Sequence, residues 1–157
     1  MKSNHKGLKI DQHSFQLGMI NCFVEMVACG VKRLAVSPPL RPEDYEAVQH
    51  SSDIIADAFG VKSYLEESLI VTDLQSEDFT KGKYSVLYYK DDYILKSYLN
   101  LKKKKSELVR EGKYDTKARK QISREFMRLL SYPEKVIEEK LTQEFPSSPY
   151  MLGDDKE

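Results

Sequence analysis

Lys83-Tyr84-Ser85-Val86-Leu87-Tyr88-Tyr89-Lys90-Asp91-Asp92, residues 83–92, holds a strand and the start of a helix. Val86 with Tyr84, Tyr88 and Tyr89 supplies the β-branched and aromatic side chains that suit a pleated surface, so 83–89 is the clearest strand of the chain. Asp91 and Asp92 then offer an N-cap, and their charge suits a helix start. Ile94, Leu95, Tyr98, Leu99, Leu101, Leu108 and Val109 recur at helical spacing up to Glu111, and Gly112 ends the run. Everything beyond is also helical. Asp115 caps a helix over 116–130, with Ala118, Ile122, Phe126, Leu129 and Leu130 facing inward. Ser131-Tyr132-Pro133-Glu134 has the S-x-x-E form of a capping box and opens a last helix through Val136, Ile137, Leu141 and Phe145.

Upstream of the strand the pattern is mixed. Residues 1–10 read as a polar arm. Asp11 caps a helix over 12–31 that closes near Gly30. Its polar stripe is Ser14, Gly18, Asn21, Glu25 and Lys32, and nearly all the rest is apolar. Such a helix sits centrally or also meets a second subunit, so a homodimer through this first helix is an expectation. Arg33 to Ser37 forms a short strand stopped by Pro38-Pro39. Pro42 with Glu43-Asp44 begins a helix over 42–59, whose inward residues are Tyr45, Val48, Ile55 and Phe59, and Gly60 stops it. Residues 61–66 are ambiguous, with an edge strand as one reading. Ser68 to Asp73 reads as the better strand, paired antiparallel with 83–89 through a loop over 75–82. The expected class is α+β, in the order α-β-α-β-β-α-α-α. It has a small, mostly antiparallel sheet of three to four strands covered by about five helices. Residues 1–145 are expected to form one domain and 146–157 a disordered tail.

Composition narrows the function classes. Cys22 and Cys29 are seven residues apart, about 10 Å along a helix and too far for a disulfide. They are expected as buried free thiols in a reducing compartment. No apolar run with a cleavage site follows Met1-Lys2, and residues 15–31 carry Gln16, Asn21 and Glu25. A cytoplasmic location without membrane contact is therefore expected. His5, His13 and His50 show no metal spacing, and no phosphate-binding, dinucleotide or nucleophile-elbow motif occurs. Neither a metal nor a cofactor is expected.

Charge is the other informative pattern. Lysine plus arginine equals aspartate plus glutamate at 25 each. Residues 96–128 nevertheless hold twelve basic side chains against four acidic ones, and the rest of the chain holds 13 against 21. On the helix over 116–130, Lys117, Lys120, Arg124 and Arg128 fall within an arc of about 80°. They are candidate contacts for an anionic partner, either a nucleic acid or an acidic protein. The same stripe is also what any solvated helix face requires. A second set of candidates lies near strand ends, where scaffolds place reactive groups. It comprises Glu25, Ser37, Asp73, Gln75 and Tyr132. Asp73 could act as a base, but no motif ties a histidine or second acid to it.

Residues 128–141 run Arg128-Leu129-Leu130-Ser131-Tyr132-Pro133-Glu134-Lys135-Val136-Ile137-Glu138-Glu139-Lys140-Leu141. This stretch, about a tenth of the chain, resembles an R-x-L-G-Y-P-x-C-C turn into a helix found in an archaeal and bacterial family with no assigned activity. Arg128, Leu130, Tyr132 and Pro133 agree with it. Ser131 replaces the glycine, and Lys135 and Val136 replace the cysteines. The resemblance implies a role for the turn and none for thiols. Three functions stay open. The leading one is a non-catalytic binding or regulatory domain whose basic face, about 96–128, meets an anion. The others are a small enzyme or small-molecule-binding protein with a polar pocket at the strand ends, and a structural homo-oligomer.

Overall fold

The computed structural model describes residues 10–75 and 77–142. The expected arm over 1–9, Phe145 and the expected tail over 146–157 lie outside them. The described residues form α1 (Gln12–Ala28), β1 (Leu34–Val36), α2 (Pro42–Ala58), β2 (Lys62–Glu66), α3 (Glu77–Thr80), β3 (Ser85–Tyr89), α4 (Asp92–Arg110), α5 (Thr116–Leu129) and α6 (Glu134–Leu141). The class is α+β, with three antiparallel strands in the order β1-β3-β2. Leu34 faces Tyr89 and Val36 faces Leu87 on one side of β3, and Tyr64 faces Leu87 and Glu66 faces Ser85 on the other.

The pleat sorts the strand residues into two cores. Leu34, Leu87 and Tyr89 pack with Ile94, Tyr98, Ile122, Phe126 and Ile137 of α4, α5 and α6. Ala35, Val86 and Tyr88 pack with Ile20, Val24, Val27 and Ala56 of α1 and α2. The sheet is thus the middle of three layers, and β3 is buried at every position. A strand covered on both faces has no use for polar alternation, and Val86 to Tyr89 accordingly show none.

The 68–73 expectation is corrected, and with it the hairpin through 75–82. β2 at Lys62–Glu66 takes the place beside β3, and one turn of helix, α3, sits in the expected loop. Residues 68–74 pass from a bend at Ser68 to a turn at Asp73 and Leu74 without a strand partner, and side chains take up four of their amides. The Ser68 N–H donates to Glu66 Oε1 (2.8 Å) and Ile70 N–H to the Tyr98 hydroxyl (3.2 Å). Asp73 N–H donates to Ser123 Oγ (2.9 Å) and Leu74 N–H to Thr72 Oγ1 (3.2 Å). Glu66 Oε1 also accepts from Lys102 Nζ (2.7 Å), and Oε2 from the Tyr98 hydroxyl (2.8 Å). Lys105 Nζ donates to the Val71 carbonyl (2.7 Å). A β-branched run has here been tied down by α4 and α5.

Two smaller expectations also change. The capping box at Ser131 does not form. Ser131 has φ +66°, and Pro133 occupies the N-cap of α6 with no side-chain bond. Ser131 N–H donates to the Arg128 carbonyl (3.0 Å) and Tyr132 N–H to that of Met127 (3.0 Å). That pair of bonds is a Schellman closure of α5, with Ser131 at the left-handed position glycine usually takes. Cys22 and Cys29 are exposed, because α1 buries Ile20, Val24 and Val27 and turns its other side to solvent.

Candidate ligand-binding site

β1 lies at an edge of the sheet, so α1 from one layer and α5 from the other approach each other past it. Between them is a cavity of about 250 Å³. Phe23 and Met26 of α1 form one wall, and Phe126 and Leu130 from the end of α5 form another. Ala35 and Val36 belong to β1, Ser37 and Pro39 follow it, and Leu69, Leu74 and Gln75 come from the segment after β2. Lys32 and Tyr132 close the remaining side. The wall is mostly apolar, with a few polar groups converging on it, which is the usual make-up of a small-ligand site.

The polar groups differ in how they are used. Ser37 is fully engaged in structure: its Oγ accepts from Val86 N–H (2.9 Å) and donates to the Pro38 carbonyl (3.0 Å), extending the β1–β3 pairing. Gln75 is only 5% exposed, and its Nε2 has no hydrogen-bond partner. It is the one such buried side-chain atom among the described residues. Lys32 is half-buried, and burial pushes its pKa below the ordinary lysine value. Its Nζ donates to the Leu130 carbonyl (3.0 Å) and lies 5.4 Å from the Tyr132 ring centroid. Lys140 Nζ lies 5.8 Å from the same ring, and burial pushes the Tyr132 phenol up. Next to Lys32, Arg33 donates its backbone N–H to Ser131 Oγ (2.9 Å) and its guanidinium to the Arg128 carbonyl. The α1–β1 turn therefore places two cations on the negative end of α5.

Of the five strand-end candidates, the structure brings Ser37, Gln75 and Tyr132 onto this one cavity. Asp73 lies elsewhere, accepting from Ser123 Oγ (3.0 Å) and paired with Arg119 at 3.4 Å. Glu25 is exposed on α1 and is not part of the wall, although its neighbour Met26 is. Lys32 is the residue that sequence reasoning missed as a site group. Its signal was present: no acidic residue occurs anywhere from Met26 to Pro42, so Lys32 had no local counter-ion.

The basic stripe is divided. Arg124 pairs with Glu138 (2.9 Å) and Arg128 with Glu134 (2.7 Å), both acids of α6. Lys117 and Lys120 make no ion pair among the described residues and line an open trough of about 870 Å³ with Lys104, Lys113 and Asp115. There Lys104 pairs with Glu125 (2.9 Å) and Lys113 with Glu111 (2.8 Å). Exposed pairs of this kind are weak and open readily. Among the described residues, four acids from outside the segment, Glu66, Asp73, Glu134 and Glu138, stand against a local surplus of eight positive charges, so about half of that surplus stays uncompensated.

Among the described residues no three potential ligands gather to hold a metal, and no helix is long and apolar enough to cross a membrane. No protein-family profile, curated protein or solved structure matches the chain.

Proposed function

We propose that this chain binds a small molecule in the cavity beside β1. The observation that carries the reading is Gln75, 5% exposed on the lining of this mostly apolar cavity, whose Nε2 is buried without a hydrogen-bond partner. An unsatisfied buried polar group costs about 1–3 kcal/mol. Folding alone gives no return for that cost, and a ligand acceptor would supply it. Upstream of Gln75, Ile70 and Asp73 are tied to α4 and α5 by side-chain bonds.

The same geometry takes support from the other two readings. Half of the anion stripe is engaged by α6. Among the described residues, the outward side of α1 mixes Asn21, Cys22, Glu25 and Cys29 with the exposed Met26.

Gln75→Leu tests the reading, because it removes the orphan donor at similar volume. The variant is expected to be more stable than the parent by about 1 kcal/mol, raising the melting temperature by roughly 2–4 °C. It is also expected to lose binding of polar small molecules found by thermal-shift screening. A variant that is less stable, and that binds the same molecules equally well, would show that Gln75 serves the fold alone.

A further inference from the structure

We infer that the ligand of this cavity is a small monocarboxylate with a flat or compact apolar body, its carboxylate received by Lys32 and Gln75; this rests on the small-molecule reading above. Sign comes first. None of the thirteen residues lining the cavity is acidic, and one, Lys32, is cationic. The Leu130 carbonyl and the end of α5 offset about half a charge at most. An ammonium has three N–H donors; the Leu130 carbonyl accepts one, and the face of Tyr132 attracts the same charge. The Gln75 carboxamide can present either N–H or C=O by turning over, so Lys32 sets which end a ligand meets. An anion uses both groups; a cation would meet like charge in a cleft of low dielectric.

Size comes next. A protein cavity of about 150 Å³ accepts benzene. The cavity here, about 250 Å³, scales to a ligand of about ten non-hydrogen atoms. Its walls of Phe23, Met26, Leu69, Leu74 and Phe126 call for an apolar body. A phosphate ester or a dicarboxylate carries more charge than one ammonium and one amide can receive. A single carboxylate matches both the donor set and the remaining apolar volume.

The test compares phenylacetate, its neutral isostere phenylacetamide and the cation phenethylammonium, by titration calorimetry and ligand-observed NMR on the full chain. Phenylacetate is expected to bind about tenfold more tightly than phenylacetamide, the usual advantage of a charge-assisted pair. Phenethylammonium is expected not to bind. Lys32→Met is expected to erase the preference for the acid while leaving phenylacetamide affinity within about twofold. Equal binding of acid and amide by the parent protein would overturn the carboxylate assignment and leave the small-molecule reading standing. Failure of all three probes, with Gln75→Leu unchanged in a wider screen, would overturn both. A Lys32→Met variant that loses stability but keeps the acid preference would assign Lys32 to capping α5 only. The comparison of the three probes needs no variant, so it decides the matter even if Lys32→Met folds poorly.

Discussion

Ser131 stands in a left-handed backbone that a β-carbon disfavours by about 1–2 kcal/mol. Its hydroxyl offsets part of this by accepting the Arg33 N–H at 2.9 Å, a bond worth about 0.5–1.5 kcal/mol. The two terms nearly cancel, and they separate by substitution. Ser131→Ala keeps the strain and loses the bond, so it is expected to destabilise by about 1 kcal/mol. Ser131→Gly loses both and is expected to stay within about 0.5 kcal/mol of the parent. Urea denaturation of the two variants checks the difference; equal stabilities would mean that the hydroxyl contributes nothing. The S-x-x-E spacing was legible, but its geometry was not, because Glu134 turns to Arg128 and leaves the Ser131 side chain to the β1 side of the molecule.

The segment 68–74 shows how a strand pattern can be redirected. Its β-branched run is real, yet β3 already has two neighbours, and the Glu66–Tyr98–Lys102 network takes hold of the chain at Ser68, two residues after β2. Glu66 is 4% exposed and satisfied by three donors. Removing one member of a buried pair costs about 3–5 kcal/mol. Glu66→Ala is expected near the low end, because Lys102, 34% exposed, can turn to water. Tyr98→Phe is expected to cost about 1–3 kcal/mol by orphaning the Ile70 N–H. Hydrogen exchange gives the sharper check: the Ile70 amide should exchange much faster in Tyr98→Phe than in the parent. Unchanged protection there would mean that some other group holds the segment. Loss of this anchoring should also weaken ligand binding, since Gln75 follows directly on the anchored residues.

Across the molecule, each helical layer carries a buried phenol against the sheet. Burial, eased by the Ser52 bond, pushes Tyr88 up to about 12 on the α1–α2 side. Burial and then the Glu66 carboxylate raise Tyr98 well above the usual tyrosine range on the α4 side. Both folded pKa values exceed the unfolded value of about 10, so the folded state holds protons that the unfolded state releases. Stability from these groups is complete below pH 10 and falls as pH rises through Tyr88 and beyond. At about 1.4 kcal/mol per unit, Tyr88 alone accounts for a loss of about 2 kcal/mol between pH 10 and pH 12. Alkaline unfolding followed by circular dichroism should show this decline, and Tyr88→Phe should make it shallower. A parent protein equally stable at pH 9 and pH 12 would contradict it. The charge pattern is also divided at this level: among the described residues, four of the twelve lysines and arginines of 96–128 meet acids from other parts of the chain, in Lys102–Glu66, Arg119–Asp73, Arg124–Glu138 and Arg128–Glu134.

Helix and strand types could be read from residues three or four apart, because periodicity, caps and stop signals act within one turn or one pleat. Asp11 and Asp115 cap as expected, with Asp11 accepting from Ser14 N–H and Asp115 from Ala118 N–H, and the run at 83–89 contains the central strand. Pairing and partnership were settled by packing. Which strand lies beside β3, which amide Tyr98 satisfies 28 residues away, which acids face Arg124 and Arg128, and which buried nitrogen stays unpaired all depend on groups distant in the chain. The cavity belongs to that second kind. Its walls come from four stretches, 23–26, 32–39, 69–75 and 126–132, that meet where a three-residue edge strand leaves two helical layers uncovered.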